Sequence, residues 1–200
     1  TTPSCLGQQP LTLGADFSLA SDTKVTTGHG DLILGHVSVS DGAMAEGLRT
    51  WRKLTGSIVG PMEVWLAHRS LATLHMRIER QCANALAIAQ FLASRADVHD
   101  LRYPGLPSDP SHAIAHRQMK YFGPVVSFAL RSRQHAERFL ASCKLVYDAT
   151  SFGSLHTTAE RRARWGGDAV EEGFIRLSAG CEAAQDLIAD LDSALNRTAE

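Results

Sequence analysis

The stretch GPMEVWLAHRSLATLHMRIERQCANALAIAQFLASR, residues 60–95, limits most severely what this chain can fold into. Its apolar positions Leu74, Ile78, Ala85, Leu86, Ala89 and Leu92 recur at three- and four-residue steps, the period of a helix with one buried face. Pro61 stands where a first helical turn accepts proline. A pattern this long predicts either two helices or one kinked helix bridging two domains. The texture differs on its two sides. Before it, GADFSLAS (14–21) reads as a short buried strand and DLILGHVSVS (31–40) as a second, across a Gly-rich turn. DGAMAEGLRTWRKLTG (41–56) reads as a helix with Asp41 as N-cap and Gly56 just past its end.

After about residue 97, strand-like runs (VHDLRYP, VVSFAL, KLVYDAT, FIRLSAG) alternate with helical segments at 111–119, 133–142 and 158–165. The amphipathic AAQDLIADLDSALNR (183–197) closes the series. Alternation of this kind predicts α/β or α+β architecture. YPGLPSDPSH, with three prolines, reads as a loop, and no repeat or low-complexity tract interrupts the chain.

Charge and cysteine usage narrow the function. The formal net charge of −1 comes without a basic stripe, which argues against nucleic acid. Arg161, Arg162 and Arg164 are followed by Asp168, Glu171 and Glu172, and read as a solvated helix face. Four cysteines without a CxxC pair fit a reducing, cytoplasmic setting better than a disulfide framework or zinc site. No run is long enough for a transmembrane helix, so no membrane association is expected. The opening TTPSCLGQQP lacks an initiator Met and reads like the middle of a longer protein.

Three residues invite chemistry. Lys24 follows an apolar run and precedes VTTGHGD, with Ser21 and Thr23 just before it. Hydroxyls so placed can bind a phosphate while the amine reaches the other end of the same ligand, an arrangement suited to pyridoxal phosphate. On spacing alone an ordinary surface lysine is the commoner case. His29, between glycines, lacks partners for a metal site. Arg176 sits inside an apolar strand, where an unpaired guanidinium is costly. It is either paired with Glu182 or another acid, or a bidentate clamp for a ligand carboxylate. The physics leaves both open.

GADFSLASDTKVTTGHGD resembles the stretch around the cofactor lysine in the cysteine/methionine-metabolism family of pyridoxal-phosphate enzymes. That family comprises cystathionine γ-synthases, cystathionine γ-lyases, cystathionine β-lyases and methionine γ-lyases. The 60–92 segment resembles its G-P…L…R-G-L-x-T-L…R…N-A…A…L pattern, and VHDLRYPGLPSDPSH its V-Y-P-G-L-x-x-H-P. TSFGS resembles its S-L-G-G, and IRLSAGCE its I-R-L-S-V-G-x-E. Five motifs in order span essentially the whole chain.

The resemblance implies an α/β chain made of the end of a large fold type I (aminotransferase-type) cofactor domain, residues 1–95, then a small α+β domain, residues 96–200. It implies that Lys24 carries pyridoxal 5'-phosphate as an imine and moves protons, and that Ser21 and Thr23 bind the cofactor phosphate. Arg176 would hold the substrate α-carboxylate, with Ser151 beside the substrate or the lysine. It further implies a cytoplasmic homotetramer acting on sulfur amino acids, with sites shared between subunits. The family's aspartate for the ring nitrogen would fall just before Thr1, and a neighbouring subunit supplies a Tyr/Arg pair, so a chain of this length would not complete a site alone.

Departures bear on specificity. His156-Thr157 stands where many members have Glu-Ser, the segment up to Arg176 is shortened, and His68 to Leu71 reads H-R-S-L instead of R-G-L. His156 either contacts a distal substrate group or caps a loop. The HTTAERRARWGG variant resembles bacterial members described as γ-lyases, which favours cystathionine γ-lyase over γ-synthase or β-lyase. A non-catalytic fragment is the alternative from another class.

Overall fold

In the computed structural model, which describes residues 1–198, a helical turn α1 (Ser4–Gly7) and a 3-10 turn (Pro10–Leu13) lead into β1 (Phe17–Ser21) and β2 (Gly35–Val39). The two strands pair antiparallel from Phe17↔Val39 to Ser21↔Gly35, and Lys24 lies in the turn-rich segment between them. The strand at Phe17–Ser21 forms as expected, but it is not buried. Leu19 is 68% exposed, because β1 and β2 make only a two-stranded ribbon among the described residues. Helix α2 (Gly42–Thr55) has the predicted ends: Asp41 accepts from the Met44 amide at 2.7 Å, and Gly56, at φ 70, donates back to the Arg52 carbonyl.

The long helical pattern resolves into α3 (Pro61–Leu71) and α4 (Leu74–Ala93). Hydroxyls at the junction compete for the carbonyls a continuous helix would use: Ser70 donates to the Leu66 carbonyl at 2.8 Å, and Thr73 to that of Ser70 at 3.3 Å. Helix α4 serves two apolar clusters. Leu74, Ile78 and Cys82 pack with Val25 beside the lysine segment. One turn further on, Ala85, Ile88, Ala89 and Leu92 enter a second, larger core.

That larger core is built on a five-stranded sheet. Strands β3 (His99–Arg102), β4 (Val125–Ala129), β5 (Tyr147–Asp148), β6 (Thr158–Arg161) and β7 (Phe174–Ser178) lie in the order β3-β4-β7-β6-β5. All neighbours are antiparallel except β5 and β6. Helices α5 (His112–Gln118), α6 (Arg133–Ser142) and α7 (Ala184–Thr198) alternate with them, and α4, α6 and α7 contribute to the core. The two-residue alternation of strands decides which side chains enter it. Val126, Phe128, Ala159, Ile175 and Leu177 are buried in the core. Ser127, Glu160 and Arg176 alternate with them and point to the other face.

One helix expectation is corrected. Residues 158–165 form strand β6 and a 3-10 turn (Arg162–Trp165), not a helix. The good helix formers of TAERRARW are overridden by strand pairing to β7 and β5. The arginines there are accordingly no solvated helix face: Arg161 is buried, bonded to the Glu172 carboxylate at 3.0 Å and 3.5 Å from that of Glu137. Among the described residues no helix is long and apolar enough to cross a membrane.

Candidate active site

The segment carrying Lys24 is braced by its own backbone. The Lys24 amide donates to Ser21, the Gly28 amide to Lys24, and the Thr27 amide and hydroxyl both to the Asp22 carbonyl, the last at 2.6 Å. Helix α4 adds Arg77, a buried guanidinium without a carboxylate partner among the described residues. It donates to the carbonyls of Val25 (2.8 Å), Thr26 (2.9 Å) and Ser70 (2.8 Å), and to the Thr73 hydroxyl (3.1 Å). Burial pushes its pKa below the ordinary arginine value. Gly28, at φ +69, leaves room for this clamp: a β-carbon there would lie 2.0 Å from an Arg77 nitrogen.

The polar face of the larger sheet holds the opposing wall. The loop at 150–155 is pinned to it: Thr158 donates to the Ser151 carbonyl at 2.9 Å, and the Gly153 amide donates to the Ser178 hydroxyl at 2.9 Å. The Leu155 amide reaches the Gly28 carbonyl at 2.9 Å, and Gln81 on α4 donates to the Ser154 carbonyl at 2.6 Å. The result joins residues far apart in the chain. Lys24 Nζ lies 3.0 Å from Ser151 Oγ and 5.2 Å from the centre of the Phe152 ring, and Arg176 Cζ lies 5.3 Å from the same ring.

Three of the predicted residues therefore converge: Lys24, Ser151 and Arg176. Ser21 lies beside Thr1, whose hydroxyl accepts from the Ser21 amide at 3.1 Å. Its own hydroxyl has no hydrogen-bond partner among the described residues. Thr23 is engaged by backbone, donating to the Leu34 carbonyl at 3.2 Å and accepting from the Leu34 amide at 2.9 Å. His29 bonds the Thr27 carbonyl at 2.6 Å, and among the described residues no His/Cys/Asp/Glu group is arranged to hold a metal. His156 is exposed, edge-on to Tyr147 and 3.9 Å from Glu182.

The acid paired with Arg176 is Glu160, not Glu182. Glu182 instead accepts from the Thr157 amide at 2.7 Å and its hydroxyl at 2.8 Å, two residues that sequence separation concealed. Arg176 Nη2 donates to Glu160 and to the Thr150 carbonyl. Burial pushes its pKa down from the ordinary arginine value while Glu160 acts against that shift. Phe152, Glu160 and Arg77 are site or supporting residues that reading the sequence missed. Phe152 and Arg77 lie inside motifs already singled out, whereas Glu160 was concealed within an apparent helix.

Residues 1–196 of the chain match the family described as Cys/Met metabolism PLP-dependent enzyme. The chain belongs to this family. It is 58% identical over its full length to a protein of Streptomyces coelicolor named putative cystathionine gamma-lyase, of which it covers 51%. It is 39% identical to the cystathionine gamma-synthase of Mycobacterium bovis, with 94% of this chain and 50% of that protein covered. A solved structure from Micromonospora echinospora, CalE6, described as a methionine gamma lyase, superposes with a TM-score of 0.93 at 38% identity, covering 98% of this chain and 53% of that one. This chain thus spans about half the length of the curated relatives it matches. The donor set fits the family's coenzyme: a primary amine without a paired carboxylate among the described residues, a free hydroxyl at Ser21, and an aromatic ring beside the amine.

Proposed function

We propose that the protein containing this chain is a pyridoxal-phosphate-dependent cystathionine γ-lyase, cleaving cystathionine with water to cysteine, 2-oxobutanoate and ammonia. The observation that carries the reading is the meeting of Lys24 with Ser151, 127 residues apart, with Arg176 on the same aromatic ring. The 58% identical relative named as a γ-lyase favours this reaction over its sister activities.

When bound, the coenzyme supplies an electron sink for a carbanion at the substrate Cα. Lys24 would hold it by its Nζ, and Ser21 and Thr23 would receive its phosphate. Arg176 would bind the α-carboxylate through Nη1, which has no partner among the described residues, while Nη2 stays on Glu160 and the Thr150 carbonyl. Set free when the substrate amine takes its place on the coenzyme, Lys24 Nζ would take the proton from Cα and then move a proton at Cβ, which lets sulfur depart from Cγ. Ser151 Oγ, 3.0 Å from Nζ, holds the amine over the reacting carbons between these transfers.

The remaining features of the reading are a small sulfur amino acid as the only ligand besides the coenzyme, and a homotetramer sharing its sites between subunits. Exposed Ile33, Leu54 and Trp65 offer apolar surface for such contacts. A cytoplasmic setting suits four free thiols. The alternative is a cystathionine γ-synthase, favoured by the 39% identical relative of that name.

Two assays of the full-length protein test this. Ketoacid release from cystathionine, against cystathionine formation from cysteine and an activated homoserine ester, separates lyase from synthase. Lys24→Ala is expected to abolish both activity and the coenzyme's near-ultraviolet to visible absorbance band. Retention of that band by the variant would sink the assignment of Lys24.

A further inference from the structure

The most deeply buried acid on the polar face of the sheet is Glu160, whose side chain is 0% exposed. A carboxylate taken out of water costs several kcal/mol unless charges and hydrogen bonds replace its hydration. Here three donors and one further positive charge do so. Arg176 and Arg162 converge on Oε1, the latter at 2.9 Å; the Trp165 indole N–H donates to Oε2 at 2.9 Å, with Arg164 at 3.8 Å from the same oxygen.

Only Arg176 among these donors faces Lys24 across Phe152. Register places the pair: Glu160 and Arg176 stand directly opposite each other on antiparallel β6 and β7, so their side chains share one face. Both protein acceptors of Arg176, Glu160 and the Thr150 carbonyl, bind Nη2. Nε and Nη1 have no partner among the described residues. Arg162 and Arg164 keep acids of their own, Asp168 and Asp148, so Arg176 is the arginine that depends on Glu160.

We infer that Glu160 is a positioning residue that fixes Arg176 to receive the substrate α-carboxylate on its free Nη1, and that Trp165, bonded to the same acid, reports the occupancy of that arginine. The inference rests on the reading that Arg176 binds this carboxylate, and the variants below separate the two. Without Glu160 the guanidinium keeps one carbonyl contact and loses its fixed orientation, which weakens ground-state and transition-state binding alike. The signature of such a loss is a raised KM with kcat retained.

In the full-length holoenzyme, Arg176→Ala is expected to raise KM for cystathionine by at least fifty-fold. An unchanged KM there would overturn the reading of Arg176 itself, whatever Glu160 does. Given that rise, Glu160→Gln is expected to raise KM about tenfold with kcat within about twofold, and Glu160→Asp to recover part of the loss. The double variant should bind no worse than Arg176→Ala alone, since both changes remove one interaction. An unchanged KM in Glu160→Gln, or additive effects in the double variant, would overturn the role given to Glu160.

If Glu160→Gln does not fold, Trp165 carries the test. With Trp51, Trp65 and every tryptophan outside residues 1–200 replaced by Phe, the full-length protein is titrated with butanoate, a carboxylate that has no amine to react. A saturable change in emission that Arg176→Ala abolishes supports the coupling; a flat titration overturns it.

Discussion

Gly153 has no room for a methyl group. At φ +83 it lies where a β-carbon would come 2.7 Å from the Val25 amide nitrogen and 3.1 Å from the Lys24 carbonyl carbon. The loop carrying Ser151 can therefore rest directly on the backbone of the lysine segment. Gly153→Ala is expected to cost about 1–3 kcal/mol from its backbone conformation and to push Ser151 away from the amine. Urea denaturation would show the first effect and a fall in kcat the second. Arg77 acts on the same segment from below. Arg77→Met keeps the bulk but leaves the buried Val25 carbonyl and the half-buried Thr26 carbonyl without this donor, while the Ser70 carbonyl keeps Thr73. At about 1–3 kcal/mol for an unsatisfied buried group, a loss of about 1–3 kcal/mol is expected, measured by the shift in urea midpoint. The motif around Lys24 was legible because its residues are neighbours in sequence. The clamp was not, because Arg77 is 52 residues from Val25 and nothing in a helical pattern marks which arginine turns inward.

At the scale of elements, local signals performed well where the structure is local. Asp41 and Gly56 bound α2 as read, and α6 occupies the predicted 133–142. Asp41→Ala is expected to remove about 1 kcal/mol of helix stability, visible as a lower helical content and earlier thermal unfolding. Asp109 behaves differently because its group titrates. Burial pushes its carboxyl up, but the Ser111 hydroxyl and amide, at 2.6 and 2.8 Å, outweigh it and leave the pKa below the ordinary aspartate value. Its contribution is complete above the unfolded carboxylate pKa of about 3.9 and disappears as pH falls through the lowered folded value. Asp109→Asn, which keeps one acceptor oxygen, should flatten that part of the pH–stability profile between about pH 5 and 2. Thermal unfolding across the range checks it. Strand β6 shows where local signals fail. TAERRARW has the residues of a helix, and only pairing with β5 and β7 makes its first four a strand. The register that sets Glu160 against Arg176 is a property of the sheet and leaves no trace in spacing.

For the whole molecule, α4 decides how the chain divides. The division proposed here, residues 1–95 and 96–200, ends the first part just after this helix, yet the second half of α4 lies in the core of the second part. Ile88 and Leu92 are fully buried there, and Ala85 and Ala89 let the helix lie close to the sheet. Burying Ile88 and Leu92 contributes about 1.5–3 kcal/mol each, a large share of the 5–15 kcal/mol that a domain of ordinary stability has in total. Asn84 adds a tie of another kind, donating to the carbonyls of Gly180 at 3.0 Å and Glu182 at 2.8 Å and so holding the chain that follows β7. A fragment of residues 96–200 alone would leave one face of its core open to water. It is expected to show no cooperative urea transition, whereas residues 84–200, with the helix face restored, should unfold in a single cooperative step. Equal stability of the two fragments would show that the second core closes without α4. In that case the helix would only link the two parts, and displacements of the sheet would not be transmitted to the lysine segment that the same helix clamps through Arg77.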